Sequence, residues 1–168
     1  MSAPNWLSTD DAHFITRGLS ITLASRDLRH VPSLSRALAC RFSDDGRQLI
    51  LILSRQQSTD LLRDVVTTGH LAVVITEPST HRTLQLKGSD ATVSAIADDD
   101  LEVIEQSRTH FGADILPLGF DAAFNQRLYA CARNDLCRIL VTPTDVFQQT
   151  PGPAAGERIG PQTGQAES

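Results

Sequence analysis

Hydrophobic and polar positions follow a period of two, or cluster in short apolar runs, along most of the chain. Both patterns are typical of β-strands, because successive side chains of a strand point to opposite faces. Serine, aspartate and glycine within residues 43–47 form a hairpin turn signal between two of these runs. The predicted strands are residues 19–25, 35–42, 48–53, 71–75, 82–95 with a bend at Gly88, and 136–141, which is continued by 145–149.

A helical spacing of apolar residues appears in three other segments. In residues 59–68, leucine and valine repeat at positions i, i+3 and i+4, and Gly69 ends the predicted helix. Three aspartates at 98–100 mark the start of a second helix that runs to residue 110, since acidic side chains stabilise a helix N-terminus. Residues 120–132 have the pattern of a third, amphipathic helix.

These elements predict an α+β protein that is mainly β, with an antiparallel barrel decorated by helices. A chain of 168 residues is the size of one domain. We assign residues 1–150 to this domain. Residues 151–168 are rich in glycine, proline and glutamine, and we expect a flexible tail or a segment that is ordered only against a partner.

The charge and hydropathy of the chain narrow the classes of partner. A net charge of −5 argues against nucleic-acid binding, which usually needs a basic face. No run approaches the roughly 20 apolar residues that span a bilayer, so no membrane association is expected. The first residues lack the basic start and apolar core of a signal peptide. We therefore expect a cytoplasmic protein.

Cysteine and histidine give no sign of a metal site. The three cysteines, Cys40, Cys131 and Cys137, lack a usual zinc spacing and are interpreted as reduced, buried thiols. The five histidines are scattered along the chain. His81 is the one candidate for a proton donor or a haem ligand, and the alternative is a solvated loop histidine.

The segment 79–88 is the most informative candidate for ligand binding. Within it, Thr83, Gln85 and Lys87 alternate with two leucines, so the three polar side chains share one face of a strand. Such a row can offer hydrogen bonds to one flat ligand. The alternative is a strand with one face in water, which has the same pattern.

A second candidate site lies around the predicted hairpin. Arg36 opens one strand, and Ser54 and Arg55 close the next, so the three residues are expected at one end of the sheet. Ser58 and Thr59 start the following helix, whose free N–H groups favour an anion such as phosphate. The alternative is that Ser58 or Thr59 caps the helix and both arginines are solvated.

The order and spacing of these segments resemble the pyridoxamine 5′-phosphate oxidase-like flavoproteins. The segments that carry the resemblance are residues 32–36, 51–58, 71–75 and 82–88. It covers residues 15–95, and residues 141–147 with 150–153 are similar to the closing strand and tail of uncharacterised members. The resemblance implies a split β-barrel of the flavin mononucleotide (FMN)-binding type, which forms a homodimer and binds FMN between the subunits.

The resemblance also implies a role for each candidate residue. Arg36 matches the arginine that approaches the flavin phosphate and the ribityl chain. Ser54 and Arg55 match the strand end beside the flavin, and Ser58 and Thr59 match the phosphate-binding turn.

The remaining matches lie on the polar strand of segment 79–88, and at one other place the chain departs from the family pattern. Thr83 and Gln85 match a polar strand that touches the cofactor from the facing subunit, and Lys87 extends it. The family's phosphate-binding turn carries Arg-Lys where this chain has Thr59-Asp60. An acidic Asp60 would repel the phosphate unless Arg55 compensates.

The implied function is that of an FMN-dependent oxidoreductase with a small-molecule substrate. The flavin carries the hydride chemistry, so no catalytic residue is assigned. The family's closing Arg-Leu-x-Pro motif matches only residues 158–161, without the preceding tryptophan, so a vitamin B6 substrate is not expected. Two alternatives stay open: a reductase that uses deazaflavin F420, and a non-enzymatic protein on the same barrel that binds flavin, haem or nothing.

Overall fold

Two antiparallel sheets and four helices make up the structure, a computed structural model that describes residues 7–160. The helices are α1 (Thr9–Thr16), α2 (Thr59–Thr68), α3 (Asp100–Ile115) and α4 (Ala122–Leu128). The strands are β1 (Ser20–Arg26), β2 (Pro32–Ala37), β3 (Ala39–Phe42), β4 (Leu49–Ser54), β5 (Leu71–Thr76), β6 (Thr83–Gly88), β7 (Thr92–Ser94), β8 (Leu136–Val141), β9 (Asp145–Gln148) and β10 (Arg158–Gly160). Short 3₁₀ turns occur at Gln56–Ser58, Leu116–Leu118 and Arg133–Asp135.

The strands form a six-stranded sheet in the order β10-β9-β6-β5-β1-β2 and a four-stranded sheet in the order β3-β4-β8-β7. The chain passes from one sheet to the other at Leu38, whose N–H donates to the carbonyl oxygen of Ile52 at 2.7 Å. The inner faces of both sheets share one apolar core. This arrangement confirms the predicted α+β class with antiparallel sheets.

The core follows from the alternation seen in the sequence. In β6, Leu84 and Leu86 are buried between the sheets, and the three polar residues of the strand face outward. β1 and β5 have the same alternation. Because burial of apolar surface contributes about 25 cal/mol per Å², the inward leucine, isoleucine and valine side chains fix the register of these strands.

A second apolar cluster covers the outer face of the four-stranded sheet. α3 and α4 pack there over Ala39, Ile52 and Leu136. Asp100, which is fully buried at the start of α3, accepts hydrogen bonds from Arg41 Nε at 3.2 Å and from the N–H of Ala97 at 2.7 Å. These contacts attach α3 to the sheet.

Several predicted elements differ from the observed ones. The predicted strand 35–42 is divided into β2 and β3, and the predicted strand 82–95 is divided into β6 and β7. In both cases the two parts belong to different sheets. A Cβ atom at Gly88 would lie 2.4 Å from a methyl group of Val141, so the chain can turn between the sheets closely at this glycine.

The helical and C-terminal regions also depart from the prediction. The second helix continues to Ile115, and the third is limited to Ala122–Leu128. Residues 158–160 form β10, which pairs with β9. The rest of the predicted tail, residues 161–168, lies outside the described residues. Within residues 7–160, none of the helices is long and apolar enough to cross a membrane.

Candidate functional site

The structure brings four of the predicted site residues together at the corner between β4 and α2. Ser54 and Arg55 end β4, a 3₁₀ turn follows, and Ser58 and Thr59 begin α2. The corner touches β2, because the Ser58 hydroxyl lies 2.6 Å from the hydroxyl of Ser35. Ser58 is buried, whereas the side chains of Arg55 and Thr59 are exposed.

Asp135 shapes this corner from the 3₁₀ turn before β8. Its carboxylate accepts hydrogen bonds from the Ser54 hydroxyl and, at 2.9 Å, from the N–H of Gln56. Its carbonyl oxygen accepts from the N–H of Arg55 at 2.7 Å. The bonds from Ser54 and Gln56 lower the pKa of the Asp135 carboxyl below its usual value. Asp135 therefore holds the backbone of the corner, and the sequence carried no signal for this residue.

Neither hydroxyl at the start of α2 caps the helix. Ser58 makes no side-chain capping bond, and its hydroxyl faces Ser35 instead. The Thr59 hydroxyl donates back to the carbonyl oxygens of Arg55 and Gln56, both at 3.3 Å. The start of α2 consequently has no side-chain cap, which favours an anion at this end of the helix.

Arg63 reduces the repulsion that Asp60 was expected to exert on an anion. Its Nη1 donates to Asp60 Oδ1 at 2.8 Å, and its Nε donates to Asp64 at 3.1 Å. The first pair has the i, i+3 spacing of helical ion pairs, so the sequence did contain a signal for it.

Arg36 lies on β2, but its guanidinium group is held by residues from the distant helices. Its Cζ atom is 5.0 Å from the ring centroid of Phe111 and 5.2 Å from that of Tyr129. Both terminal nitrogens are buried and have no hydrogen-bond partner among the described residues. Burial lowers the pKa of Arg36. Cation–π contact thus stabilises the charge without neutralising it.

The Tyr129 hydroxyl is also a buried polar group without a hydrogen-bond partner among the described residues. The residue is 6% exposed, and within residues 7–160 its hydroxyl has no hydrogen-bond partner. Burial raises its pKa to about 12. Sequence reasoning missed both Phe111 and Tyr129, because neither belongs to a segment with a recognisable motif near Arg36.

The other predicted residues lie on the outward face of β6. The Thr83 hydroxyl donates to the carbonyl oxygen of His81 at 3.0 Å. The Gln85 side-chain oxygen accepts from Gln149 at 3.4 Å, and Lys87 Nζ lies 4.8 Å from the ring centroid of Phe147. The amide nitrogen of Gln85 and the ammonium group of Lys87 are the groups on this face that can still donate to a ligand.

Within the single chain, the two groups of residues are not in contact. The register places Arg36 opposite Thr22, Thr22 opposite Val74, and Val74 opposite Gln85. The four residues form one row on the outward face of the six-stranded sheet. Arg36 and Gln85 are three strand spacings apart, which is about 14 Å at about 4.8 Å per spacing.

A groove of about 330 Å³ opens on the same outward face, next to Lys87. Small residues form its floor where the chain crosses β1, β5 and the end of β6, and basic side chains lie around it. The small residues of the floor include Ala24, Ala72 and Gly88, and the basic residues around it include Arg26, His70 and Lys87.

The histidine and cysteine predictions have mixed outcomes. His81 is exposed in the turn before β6, with a left-handed φ of 62°, and its role as a haem ligand stays a prediction. In the part of the chain that is described, no cluster of His, Cys, Asp and Glu could hold a metal ion. All three cysteines are free thiols, but only Cys40 and Cys137 are buried.

Comparison with known proteins identifies the fold. No protein-family model matches the chain, and no curated protein sequence is significantly similar to it. HupZ from Group A Streptococcus is similar in structure, with a TM-score of 0.54, 11% identity, and coverage of 89% of this chain and 100% of HupZ. A putative pyridoxamine 5′-phosphate oxidase from Lactobacillus delbrueckii has a TM-score of 0.52, 12% identity, and coverage of 85% and 94%.

A third solved structure, a pyridoxamine 5′-phosphate oxidase-related, FMN binding protein from Nostoc punctiforme, has a TM-score of 0.48, 15% identity, and coverage of 88% and 87%. At these identities the likeness concerns the fold alone. The resemblance predicted from residues 15–95 is confirmed at that level, and it extends over most of the chain. The chain has the split-barrel fold of the pyridoxamine 5′-phosphate oxidase-like proteins.

Proposed function

We propose that this protein is a homodimeric, FMN-binding split-barrel oxidoreductase that acts on a small-molecule substrate. The observation that carries the proposal is the unpaired guanidinium group of Arg36. It lies on β2 next to Ser35, which contacts the uncapped start of α2 through Ser58. A guanidinium group with buried terminal nitrogens on β2 and a helix start without a side-chain cap beside the same strand suit the phosphate of a flavin nucleotide.

The residues of the β4–α2 corner fit a phosphate group. Arg55 supplies positive charge at the corner itself, Arg36 supplies it from the neighbouring strand β2, and the first N–H groups of α2 supply directed donors. Ser58 contributes a buried hydroxyl within reach of Ser35. Asp60 does not oppose this arrangement with a free charge, because Arg63 binds it.

A second subunit would complete the site. Thr83, Gln85 and Lys87 face outward about three strands from Arg36 in the same protomer, so another copy is the natural source of these groups beside the flavin ring. Leu34 is 69% exposed on the same outward face, where a second copy would cover it.

FMN would supply the hydride chemistry, and the chain's own residues would bind and orient the cofactor. The amide of Gln85 can donate a hydrogen bond to the ring system. The β4–α2 corner, held by Asp135, keeps the phosphate-binding groups in place. No residue of the site is required to act as a general acid.

The basic groove beside Lys87 favours F420 as a second candidate cofactor. The tail of F420 is longer and more acidic than the phosphate of FMN, so it needs additional positive charge. Arg26, His70 and Lys87 line the groove and supply such charge.

A flavin titration of single-site variants tests the proposal. Arg36→Ala and Arg55→Ala should each weaken FMN binding by about tenfold or more, because a hydrogen bond to a charged group contributes about 1.5–3 kcal/mol. Riboflavin, which lacks the phosphate, should bind these variants as it binds the wild type. Arg47→Ala, in the exposed turn between β3 and β4, is the matched control.

Unchanged FMN affinity in both arginine variants would show that the phosphate assignment is wrong. Binding of F420 without FMN would support the second candidate. A Soret band in the purified protein that Arg36→Ala leaves intact would instead favour haem binding, with His81 as the residue to replace next.

A further inference from the structure

Arg36 differs from Arg41, the other arginine whose guanidinium group is largely covered, in having no partner of opposite charge. Arg41 on β3 is paired with Asp100 at 3.2 Å and with Asp99 at 3.2 Å. Arg36 on β2 has no carboxylate partner among the described residues, although its terminal nitrogens are buried. Buried charges are normally paired, so an unpaired guanidinium group points to a ligand that brings the opposite charge.

The Tyr129 hydroxyl is the second unpaired polar group in this place. Tyr129 is more than nine-tenths buried, and its ring lies 5.2 Å from Arg36 Cζ. The two side chains do not hydrogen-bond to each other. Arg36 can only donate, and the phenol can donate as well, so an acceptor is the group that would satisfy both.

The number of donors matches a phosphate group. Arg36 offers two terminal nitrogens and Tyr129 offers one hydroxyl, whereas the terminal phosphate of a nucleotide has three oxygens that accept hydrogen bonds. We propose that Tyr129 and Arg36 form one phosphate-binding pair, in which the Tyr129 hydroxyl is the additional hydrogen-bond donor to the cofactor phosphate.

Binding requires a small movement of α4, because the donor atoms are covered. α4 has seven residues, and Tyr129 follows its last turn. The Asn125 side chain, whose Nδ2 donates to the carbonyl oxygen of Arg108 at 2.8 Å, attaches α4 to α3. Phe124 on the same helix is exposed. A shift of this short helix exposes the donors without unfolding the sheets.

Tyr129→Phe tests the pair directly, since it removes the hydroxyl and keeps the ring that contacts Arg36. The inference rests on the proposed function where the phosphate is that of FMN. We expect FMN binding to weaken about tenfold and riboflavin binding to stay unchanged. Inorganic phosphate should raise the melting temperature of the wild type and not of the variant. Phe124→Leu, which alters an exposed ring on α4, should behave as the wild type.

A spectroscopic readout supports the test, because Tyr129 is the single tyrosine of the chain. Fluorotyrosine incorporated into the full chain gives one fluorine resonance, and that resonance should shift when phosphate or FMN is added. This measurement decides the question even if Tyr129→Phe does not fold.

The outcomes separate the inference from the proposed function. Arginine-dependent FMN binding with an unaffected Tyr129→Phe variant and an unmoved fluorine resonance would overturn the inference and leave the proposed function intact. A phosphate response that needs Tyr129, in a protein that binds no flavin, would support the inference and contradict the proposed function. No response of the wild type to FMN or phosphate would overturn both.

Discussion

At the scale of single residues, buried charge decides where the fold is most sensitive to substitution. Asp100 is fully buried and lies within 3.2 Å of Arg41 Nε and 3.6 Å of Arg138 Nε. It attaches the start of α3 to the four-stranded sheet, and α3 carries Phe111, one of the rings around Arg36. The position of Arg36 therefore depends on a carboxylate outside the candidate site.

Asp100→Ala should destabilise the protein by about 3 kcal/mol or more, because removal of one partner leaves a buried charge uncompensated. Chemical unfolding at neutral pH measures this loss. Asp99→Ala is the matched control, since Asp99 contacts the same arginine but is 63% exposed. The control should lose less than about 1 kcal/mol. Equal losses would show that the buried ion pair does not hold α3.

Asp135→Asn should make the β4–α2 corner less stable in a pH-dependent way. The folded pKa of Asp135 lies below the usual value of 3.8, so the carboxylate stabilises the fold above that pH. The contribution is lost as the pH falls through the folded pKa. The urea midpoints of the wild type and of Asp135→Asn should therefore differ at neutral pH and become equal in acid. Asp44→Asn, at an exposed position in the β3–β4 turn, is the matched control for the substitution itself.

At the scale of elements, a close backbone contact sets the path of α3 past the six-stranded sheet. Gly18, before β1, has a φ of 89°, and a Cβ atom there would lie 2.5 Å from Cα of Ser107 in α3. Neither the backbone conformation nor the space accepts a larger residue.

Gly18→Ala should destabilise the protein by about 2 kcal/mol or more, through left-handed backbone strain and displacement of α3. Gly119→Ala is the control, because Gly119 has a φ of 92° and no atom within 4 Å of an added Cβ. The control should lose only about 1–2 kcal/mol, the strain alone. Thermal unfolding of both variants measures the two losses of stability. An equal loss would show that the close approach of Gly18 to Ser107 does not contribute.

Local patterns predicted the elements that local interactions define. α2 has the predicted bounds Thr59–Thr68, and β8 has the predicted bounds Leu136–Val141. The apolar spacing and Gly69 fix the helix, and a short apolar run fixes the strand. The division of residues 35–42 between two sheets could not be predicted, because strand pairing over long sequence separations determines it.

The candidate site shows the same limit. The outward polar face of β6 and the turn before α2 were visible as spacing. Asp135, Phe111 and Tyr129 were not, because each reaches the site from a distant segment of the chain. The sequence identified site residues that lie in the same strand or turn. The structure added residues that are distant in sequence but close in space.

For the whole molecule, the proposed flavin site needs residues from two copies of the chain. On the outward face, Leu34 on β2 is followed across the sheet by Ala24, Ala72 and Lys87. These four residues form a strip with two alanines at its centre and the exposed leucine at one end. Small apolar side chains allow close approach of a second sheet or of a flat ligand.

Leu34→Glu should convert the proposed dimer to a monomer and abolish FMN binding, because it places a charge in the interface. Light scattering coupled to size-exclusion chromatography gives the mass. Val66→Glu is the control, since Val66 is a similarly exposed apolar residue, 73% exposed, that lies on α2 and not on the sheet. A Leu34→Glu variant that remains dimeric and binds FMN would place the interface elsewhere.

The absorption spectrum of the protein as purified tests directly whether the chain binds FMN. We expect flavin absorption bands and, after denaturation, the release of FMN in a ratio of one per chain. Protein purified without cofactor should gain these bands on addition of FMN, with a higher melting temperature, because a ligand of the native state stabilises it. A colourless protein whose melting temperature does not respond to excess FMN would show that the chain does not bind this cofactor.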